Sequence, residues 1–231
     1  MRRRVALRRN MPRWAAVAVF GLAGALAVSG CSQQRIGSAL LYNHQRVTTS
    51  KLADEVKNLT AGYNVYVHKT QIQYKPADMP RMVLSWMLRF AAENQLASTR
   101  GITVTPAEAQ QALNAEKASV KQAGDTLTEA AVLNGLPPDM LPQLGTWIQI
   151  QIELDKQLDN GKPPTSTAGQ AALTAKSTRL LCLAAKSMNI KVNPQFGVYD
   201  YAQLSVVAKP STLSAPSPEP SQTPIHSTPN C

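Results

Sequence analysis

The chain has 231 residues and a formal net charge of +10, and 44% of its residues are hydrophobic, which is enough for a packed core. Residues 1–30 hold six arginines and no acidic residue, so residues 31–231 carry 18 basic and 14 acidic residues, a net charge of +4. That charge is ordinary for a soluble domain and argues against nucleic acid as a partner. Three cysteines and three scattered histidines are too few for a disulfide scaffold, a zinc cluster or a His-rich metal site, so no metal or cofactor is predicted.

The N-terminus has the pattern of an export signal. A basic stretch ends at Arg13, and an apolar stretch follows from Trp14 to Val28. Its 15 residues are short for a membrane span, which needs about 20, and typical of the apolar region of a signal peptide. Residues 1–30 are therefore predicted to be a signal peptide.

Val28, Ser29 and Gly30 lead directly to Cys31, and this sequence resembles the bacterial lipobox. The resemblance implies diacylglyceryl transfer to the Cys31 thiol, cleavage before Cys31, and acyl chains, palmitate among them, that anchor the protein in the bilayer. Two or more acyl chains hold a protein stably on a membrane. The implied location is extracytoplasmic, at the outer face of the bacterial plasma membrane. The alternative is an uncleaved signal anchor in which Cys31 is incidental.

The first elements after Cys31 are predicted to be a small hairpin and a helix. Asn43 opens a two-residue turn between two short β-prone runs. Thr48 or Thr49 then caps a helix that stops near Gly62. Residues 63–74 alternate like a strand but have no clear partner, so we predict an irregular or extended segment.

The second helix is the most apolar stretch of the mature chain. Its predicted start is Pro76 or Pro80, and Arg100 and Gly101 mark its end. Apolar side chains cover nearly all of its faces, which is typical of a central, buried helix. They are Met79, Met82, Val83, Leu84, Trp86, Met87, Leu88 and Phe90.

Two capping-box patterns predict the next two helices. The first opens a helix to about Gly124 with Thr105, Pro106 and Glu108. The second, Thr126 with Glu129, opens a short helix that ends at Gly135. Both glutamates are interpreted as capping residues and not as catalytic carboxylates.

A longer helix is predicted to end at Asn160. Within it, residues 147–154 alternate strictly and fit a strand by periodicity alone, but their flanks continue a helical period and favour a helix. Residues 161–169 are predicted to be a linker, and residues 170–188 a last helix. The following segment, residues 189–200, is predicted to be extended and rich in turns.

The C-terminal segment, residues 209–231, contains six prolines interleaved with serine and threonine. Its apolar content is too low to offset the loss of chain entropy on folding, so disorder is predicted. Such tracts serve as glycosylated stalks or spacers, or have no role of their own.

Three segments together resemble the SurA/PrsA-type chaperone family, specifically its helical N-terminal module. Residues 39–52 resemble the family's opening strand, its N-G-x-x-I turn and the entry into its first helix, with His44 in place of the usual glycine. Residues 101–109 resemble the family's G-(I/V)-x-V-(S/T)-x-x-E segment between the second and third helices. Residues 190–197 resemble its V-N-P-R-(F/Y)-G segment after the last helix.

The resemblance covers residues 36–200 and lacks one domain of the family. Full-length relatives carry a parvulin-type prolyl isomerase domain between the N-terminal helices and the last helix, where this chain has only residues 161–169. No parvulin histidine pair is present, because His44, His68 and His226 lie far apart in the sequence. The resemblance therefore implies a binder of unfolded or extended polypeptide without isomerase activity.

Aromatic and methionine side chains are the candidate peptide-binding residues. Such side chains suit adaptable apolar binding. The alternative is that they form the core of the helical domain, because an all-round apolar helix must be buried in any case. They are Met82, Trp86, Met87, Phe90, Met140 and Trp147.

Cys182 lies among apolar residues of the last helix and is interpreted as a buried free thiol. The alternative is a disulfide with Cys231, which an oxidising compartment would allow.

The predicted fold class is mainly α: a SurA N-terminal-like helical domain over residues 31–208, with a small β element formed by the N-terminal hairpin and a C-terminal extended segment. The predicted function is that of a lipid-anchored, non-enzymatic, chaperone-like protein. Its partners are unfolded or extended exported polypeptides and, through acylated Cys31, the bilayer. The alternative function is a structural or adaptor lipoprotein that docks one specific partner in the cell envelope.

Overall fold

A small antiparallel sheet opens the part of the chain that the structure, a computed structural model, describes: residues 37–69, 74–209 and 231. Strands β1 (Ser38–Tyr42) and β2 (Gln45–Thr48) form a hairpin. Its turn consists of Asn43 and His44, whose φ angles are 43° and 62°. The predicted two-residue turn is confirmed, and His44 adopts the left-handed conformation that glycine would accept more easily.

The far edge of β1 pairs antiparallel with β3 (Lys191–Val192), which follows the last helix, so the sheet order is β2-β1-β3. The predicted contact between the hairpin and a C-terminal extended segment is thus confirmed. A second, two-stranded sheet consists of β4 (Val198–Asp200) and β5 (Ser205–Val207).

Helices make up most of the described residues, and the fold is mainly α as predicted. Two short 3-10 turns accompany them, at Val67–Lys69 and Pro138–Met140. The α-helices are α1 (Thr49–Tyr66), α2 (Met79–Arg100), α3 (Pro106–Gln122), α4 (Leu127–Leu133), α5 (Leu141–Leu158) and α6 (Thr167–Ser187). Residues 147–154 lie within α5, which confirms the helical interpretation.

Local capping explains most of the helix starts. Thr48, Thr105 and Thr126 each accept a hydrogen bond from a backbone N–H in the first turn of the helix that follows. Glu108 completes the capping box of α3, as predicted. The capping role of the Glu129 side chain is wrong: its carboxylate is 2% exposed and forms an ion pair with Lys69 at 3.0 Å.

Two predicted boundaries are wrong because a glycine lies inside a helix and does not end it. Helix α1 continues through Gly62 to Tyr66, so the first part of residues 63–74 is helical. Gly62 lies where α1 approaches Val132 of α4, and a small residue permits that approach. Likewise, α6 begins at Thr167, capped by Ser166, so the last three residues of the predicted linker 161–169 are helical.

Helix α2 is the central element, as its composition predicted. It contacts α1, α5, α6 and β5. Val83, Leu84 and Leu88 are completely buried. Burial of a leucine or valine side chain contributes about 1.5–3 kcal/mol, so α2 provides much of the hydrophobic stabilisation of the fold.

Several predictions fall outside the described residues: the signal peptide 1–30, the lipidated Cys31 and nearly all of the Ser/Thr/Pro-rich tail, of which only Lys209 and Cys231 are described. Among the described residues, none of the helices is both long enough and apolar enough to cross a membrane.

The prediction of a free thiol at Cys182 is wrong, because Cys182 forms a disulfide with Cys231. Cys182 is 2% exposed on the buried face of α6, and Lys186 of the same helix donates to the Cys231 carbonyl at 3.3 Å. The two cysteines are 49 residues apart. The spacing of the cysteines in the sequence does not predict this pairing, because the pairing depends on where Cys231 lies in space.

We expect peptide mapping of the non-reduced full chain to recover residues around Cys182 covalently linked to the C-terminal peptide. Replacement of Cys231 by serine should release a Cys182 thiol that alkylating reagents reach slowly in the folded protein and fast in urea, because the residue is buried. Recovery of both peptides unlinked, without a reductant, would contradict the pairing.

Candidate functional site

A cleft of about 640 Å³ lies on one side of α2, and we call it the tryptophan cleft. Helices α4 and α5 form its other walls, and β5 and α3 contribute at its margin. Its apolar lining includes Met82, Trp86, Leu127, Ala130, Ala131, Leu136, Leu144, Trp147 and Val206, and its polar lining includes Asp78, Arg81, Ser85, Arg89, Glu116, Asn134 and Ser205.

Two indole rings define the apolar surface of the tryptophan cleft. The ring centroids of Trp86 and Trp147 are 6.2 Å apart in an edge-to-face arrangement, and Phe90 lies 5.5 Å from Trp86. The Trp86 Nε1 donates to the backbone carbonyl of Asn134 at 3.0 Å, which holds the ring in place. The cleft therefore presents a fixed aromatic wall.

Charged groups sit around this wall. The Arg89 guanidinium stacks over the Trp86 ring, 4.9 Å from its centroid. No carboxylate of the described residues lies within ion-pair distance of Arg89, whereas Arg81 is paired with Asp78. Glu116 from α3 also lines the cleft, so the lining carries both signs of charge.

The six predicted peptide-binding residues do not form one site. Met82, Trp86 and Trp147 line the tryptophan cleft together. Met87 and Phe90 line a different hollow, nearer the hairpin. Phe90 is 4% exposed and belongs mainly to the core.

The proposed binding role of Met140 is wrong. Its side chain is 3% exposed and packs in a core cluster with Leu136 and Leu144, beneath the cleft. For Met140 the alternative interpretation, a core residue, is the correct one.

Sequence reasoning missed the contribution of β5 to the tryptophan cleft. The Ser85 hydroxyl donates to the Arg81 carbonyl at 2.7 Å and accepts from the Val206 N–H at 2.8 Å, so it fixes β5 against α2 at the rim. Ser85 and Val206 are 121 residues apart. No local pattern distinguishes Ser85 from an ordinary polar residue on a helix.

The second missed residue is Glu93, a carboxyl group in the core between α2 and α5. It is 1% exposed, and its Oε1 accepts a hydrogen bond from Gln151 Nε2. Its Oε2 and the buried Nε1 of Trp147 make no hydrogen bond of ordinary geometry, but the Trp147 N–H is close enough to favour the carboxylate. Burial raises the pKa of Glu93 to about 7, although the side-chain N–H groups of Gln151 and Trp147 favour the carboxylate and lower it.

The described residues contain no group of three or more His, Cys, Asp and Glu placed to hold a metal ion. His44 lies in the hairpin turn and His68 in the 3-10 turn after α1. His226 lies outside the described residues.

Comparison with known proteins returns no match: no protein-family model, no curated protein and no solved structure is similar enough to this chain to be matched with it. The resemblance to the SurA/PrsA-type family therefore stays a hypothesis that depends on the three sequence segments.

Proposed function

We propose that the protein is a lipid-anchored, extracytoplasmic, chaperone-like lipoprotein that binds unfolded or extended exported polypeptides and has no prolyl isomerase activity. The observation that carries the proposal is the tryptophan cleft. It combines a fixed aromatic wall with the flexible side chain of Met82, and this mixture accommodates apolar side chains of different shapes.

The placement of the three resembling segments supports the chaperone-module hypothesis. Leu40 and Leu41, from the first segment, pair with Val192 and Lys191 from the third. The second segment contains the capping box that opens α3. Only eight residues, 159–166, separate α5 from α6 at the place where the full-length relatives carry their isomerase domain.

The Cys182–Cys231 disulfide supports the proposed location. Disulfides persist in oxidising compartments such as the bacterial cell envelope and are rare in the cytosol. The proposed anchor at Cys31 and the disulfide are independent features, and both are consistent with export.

The proposal predicts that blocking the tryptophan cleft abolishes polypeptide binding. Ala130 is half-buried in the cleft wall, so Ala130→Arg places a long charged side chain in the cleft without removing a packed group. We expect the variant to bind a labelled, unstructured apolar peptide at least tenfold more weakly than the wild type, measured by fluorescence anisotropy. It should also fail to slow the aggregation of an unfolded client protein.

Ala118→Arg is the matched control, because Ala118 is exposed on α3 and does not line the cleft. It should bind like the wild type, and both variants should keep the wild-type circular dichroism spectrum. If the wild-type full chain neither binds the peptide at micromolar concentration nor slows aggregation, the chaperone function is wrong. Crosslinking to one stoichiometric partner in cells would then favour the adaptor function, whereas many heterogeneous clients favour the chaperone.

A further inference from the structure

A polar groove lies between the hairpin, α2 and α5, and we call it the amide groove. It consists of two adjoining hollows of about 260 Å³ and about 140 Å³. Both hollows have Phe90, Asn94 and Gln143 in their walls, so they lie side by side. Trp147 lines the smaller hollow and also the tryptophan cleft, so this indole separates the two sites.

Two matching helix faces form the sides of the amide groove. On α2 these are Met87, Phe90, Ala91 and Asn94, and on α5 they are Gln143, Thr146, Trp147 and Ile150. Each set has the spacing i, i+3, i+4 and i+7, which places its members along one stripe of a helix. The groove therefore follows about two turns of each of two neighbouring helices.

Carboxamides dominate the polar lining of the amide groove: Asn43, Gln45, Asn94, Gln95 and Gln143. Asn43 Nδ2 donates to Gln95 Oε1 at 2.9 Å. In the part of the chain that the structure describes, the side chains of Gln45, Asn94 and Gln143 make no hydrogen bond. Each carboxamide offers both donors and acceptors, so the groove presents both kinds of group to a ligand.

The deepest polar group in the amide groove is the carboxyl of Glu93. It lines the smaller hollow together with Trp147, whose N–H favours the ionised form of Glu93. No lysine, arginine or aspartate lines either hollow, so the ligand is selected by hydrogen bonding and not by opposite charge.

We propose that the amide groove holds the main chain of an extended polypeptide, with its carbonyls and N–H groups bonded to the carboxamides. The inference rests on the proposed function and assigns different parts of the ligand to the two sites. The tryptophan cleft takes an apolar side chain, and the amide groove takes the backbone. Since every polypeptide has the same backbone, this second contact adds affinity that does not depend on the sequence of the ligand.

An N-methylated peptide tests the proposal on the full chain. The probe is the unstructured apolar peptide of the cleft experiment, and its partner is the same sequence with alternate backbone nitrogens methylated, which keeps the side chains and removes main-chain donors. We expect the methylated peptide to bind the wild type about tenfold more weakly, the equivalent of one or two lost hydrogen bonds.

A double variant assigns that loss to the amide groove. Asn94→Ala with Gln143→Ala removes two exposed carboxamides, and we expect it to weaken the parent peptide to about the level of the methylated one and to bind both alike. Gln110→Ala with Asn114→Ala is the matched control, because it removes two exposed carboxamides from α3, outside the groove. The control should keep the wild-type preference for the parent peptide.

The outcomes separate this inference from the proposed function. Equal binding of the parent and methylated peptides to the wild type would overturn the main-chain contact and leave the tryptophan cleft as the peptide site. An unchanged preference in the Asn94/Gln143 variant would also overturn it. If neither peptide binds the wild type, the proposed function fails and the inference falls with it.

Discussion

Replacing Glu93 with glutamine is expected to make the protein more stable at pH 8 and to remove most of its pH dependence between pH 4.5 and 7. In the folded chain the pKa of Glu93 is about 7, against an ordinary value of 4.5, because burial disfavours the carboxylate. A carboxyl whose pKa is raised by folding is most favourable to stability when protonated. Its contribution is complete below about pH 4.5, falls as the pH rises, and is lost above about pH 7.

The expected size of this effect follows from the shift. A difference of about 2.5 pKa units corresponds to roughly 3 kcal/mol in the free energy of unfolding. Glutamine keeps the shape and the hydrogen bond with Gln151 but carries no charge. At pH 8 the melting temperature of Glu93→Gln should therefore exceed that of the wild type by about 10 °C, whereas at pH 4 the two should agree.

Calorimetry or urea unfolding across this pH range measures the difference. Two charged neighbours also act on the pKa of Glu93: Arg89 lowers it and Asp155 raises it. Burial also raises the pKa of Asp155, which leaves a small slope of the same sign in the variant. Glu153→Gln, on the more exposed side of α5, is the control, and its stability should fall between pH 4.5 and 7 as that of the wild type does. If the stability of Glu93→Gln changed with pH as much as that of the wild type, ionisation of Glu93 would not destabilise the fold.

The second large effect is expected at Gly145, where α5 crosses α3. An alanine Cβ at this position would lie well inside van der Waals distance of the Ala109 carbonyl oxygen and 3.1 Å from Leu113 Cβ. The obstacle is backbone, so the two helices would have to move apart. Overpacking of this kind costs about 1–3 kcal/mol, which outweighs the gain of about 1 kcal/mol in helix propensity. We expect Gly145→Ala to lower the melting temperature by several degrees, measured by thermal unfolding.

Gly62→Ala is the matched control in α1. There the added Cβ meets Val132 Cγ2 at 2.9 Å, and a valine side chain can shift where a backbone carbonyl cannot. Because Val132 is completely buried and β-branched, the Gly62 variant should lose some stability, but less than Gly145→Ala. If Gly145→Ala proved as stable as Gly62→Ala, close approach of the backbones would not be what sets the distance between α3 and α5.

Helix starts, helix ends and turns that depend on interactions over a few residues could be predicted from the sequence. The capping residues Thr48, Thr105 and Thr126 act on amides three residues away, and each marks the start of its helix. The hairpin turn at Asn43 and the C-terminal end of α2 at Gly101 are local in the same sense. The central position of α2 followed from its composition, because a helix that is apolar on nearly all sides must be surrounded.

The candidate site could be predicted only in part. Composition identified Trp86, Trp147 and Met82 as large apolar side chains available for binding, and all three line the tryptophan cleft. It could not separate them from Met140, which has the same chemistry and lies in the core. Glycine was likewise ambiguous: at Gly101 it ends a helix, whereas at Gly62 it permits two helices to approach.

By itself the sequence determined the helical segments, their capped starts, the hairpin, and an uneven charge distribution in which the first thirty residues carry +6 of the net charge of +10. These features depend on interactions over a few residues or on composition. The tertiary structure alone decided the ion pair between Lys69 and Glu129, the partner of Cys182, the burial of Glu93, and the approach of β5 to Ser85. Each of these joins groups that are far apart in the chain or depends on a neighbouring element, so its energy exists only after the helices have packed.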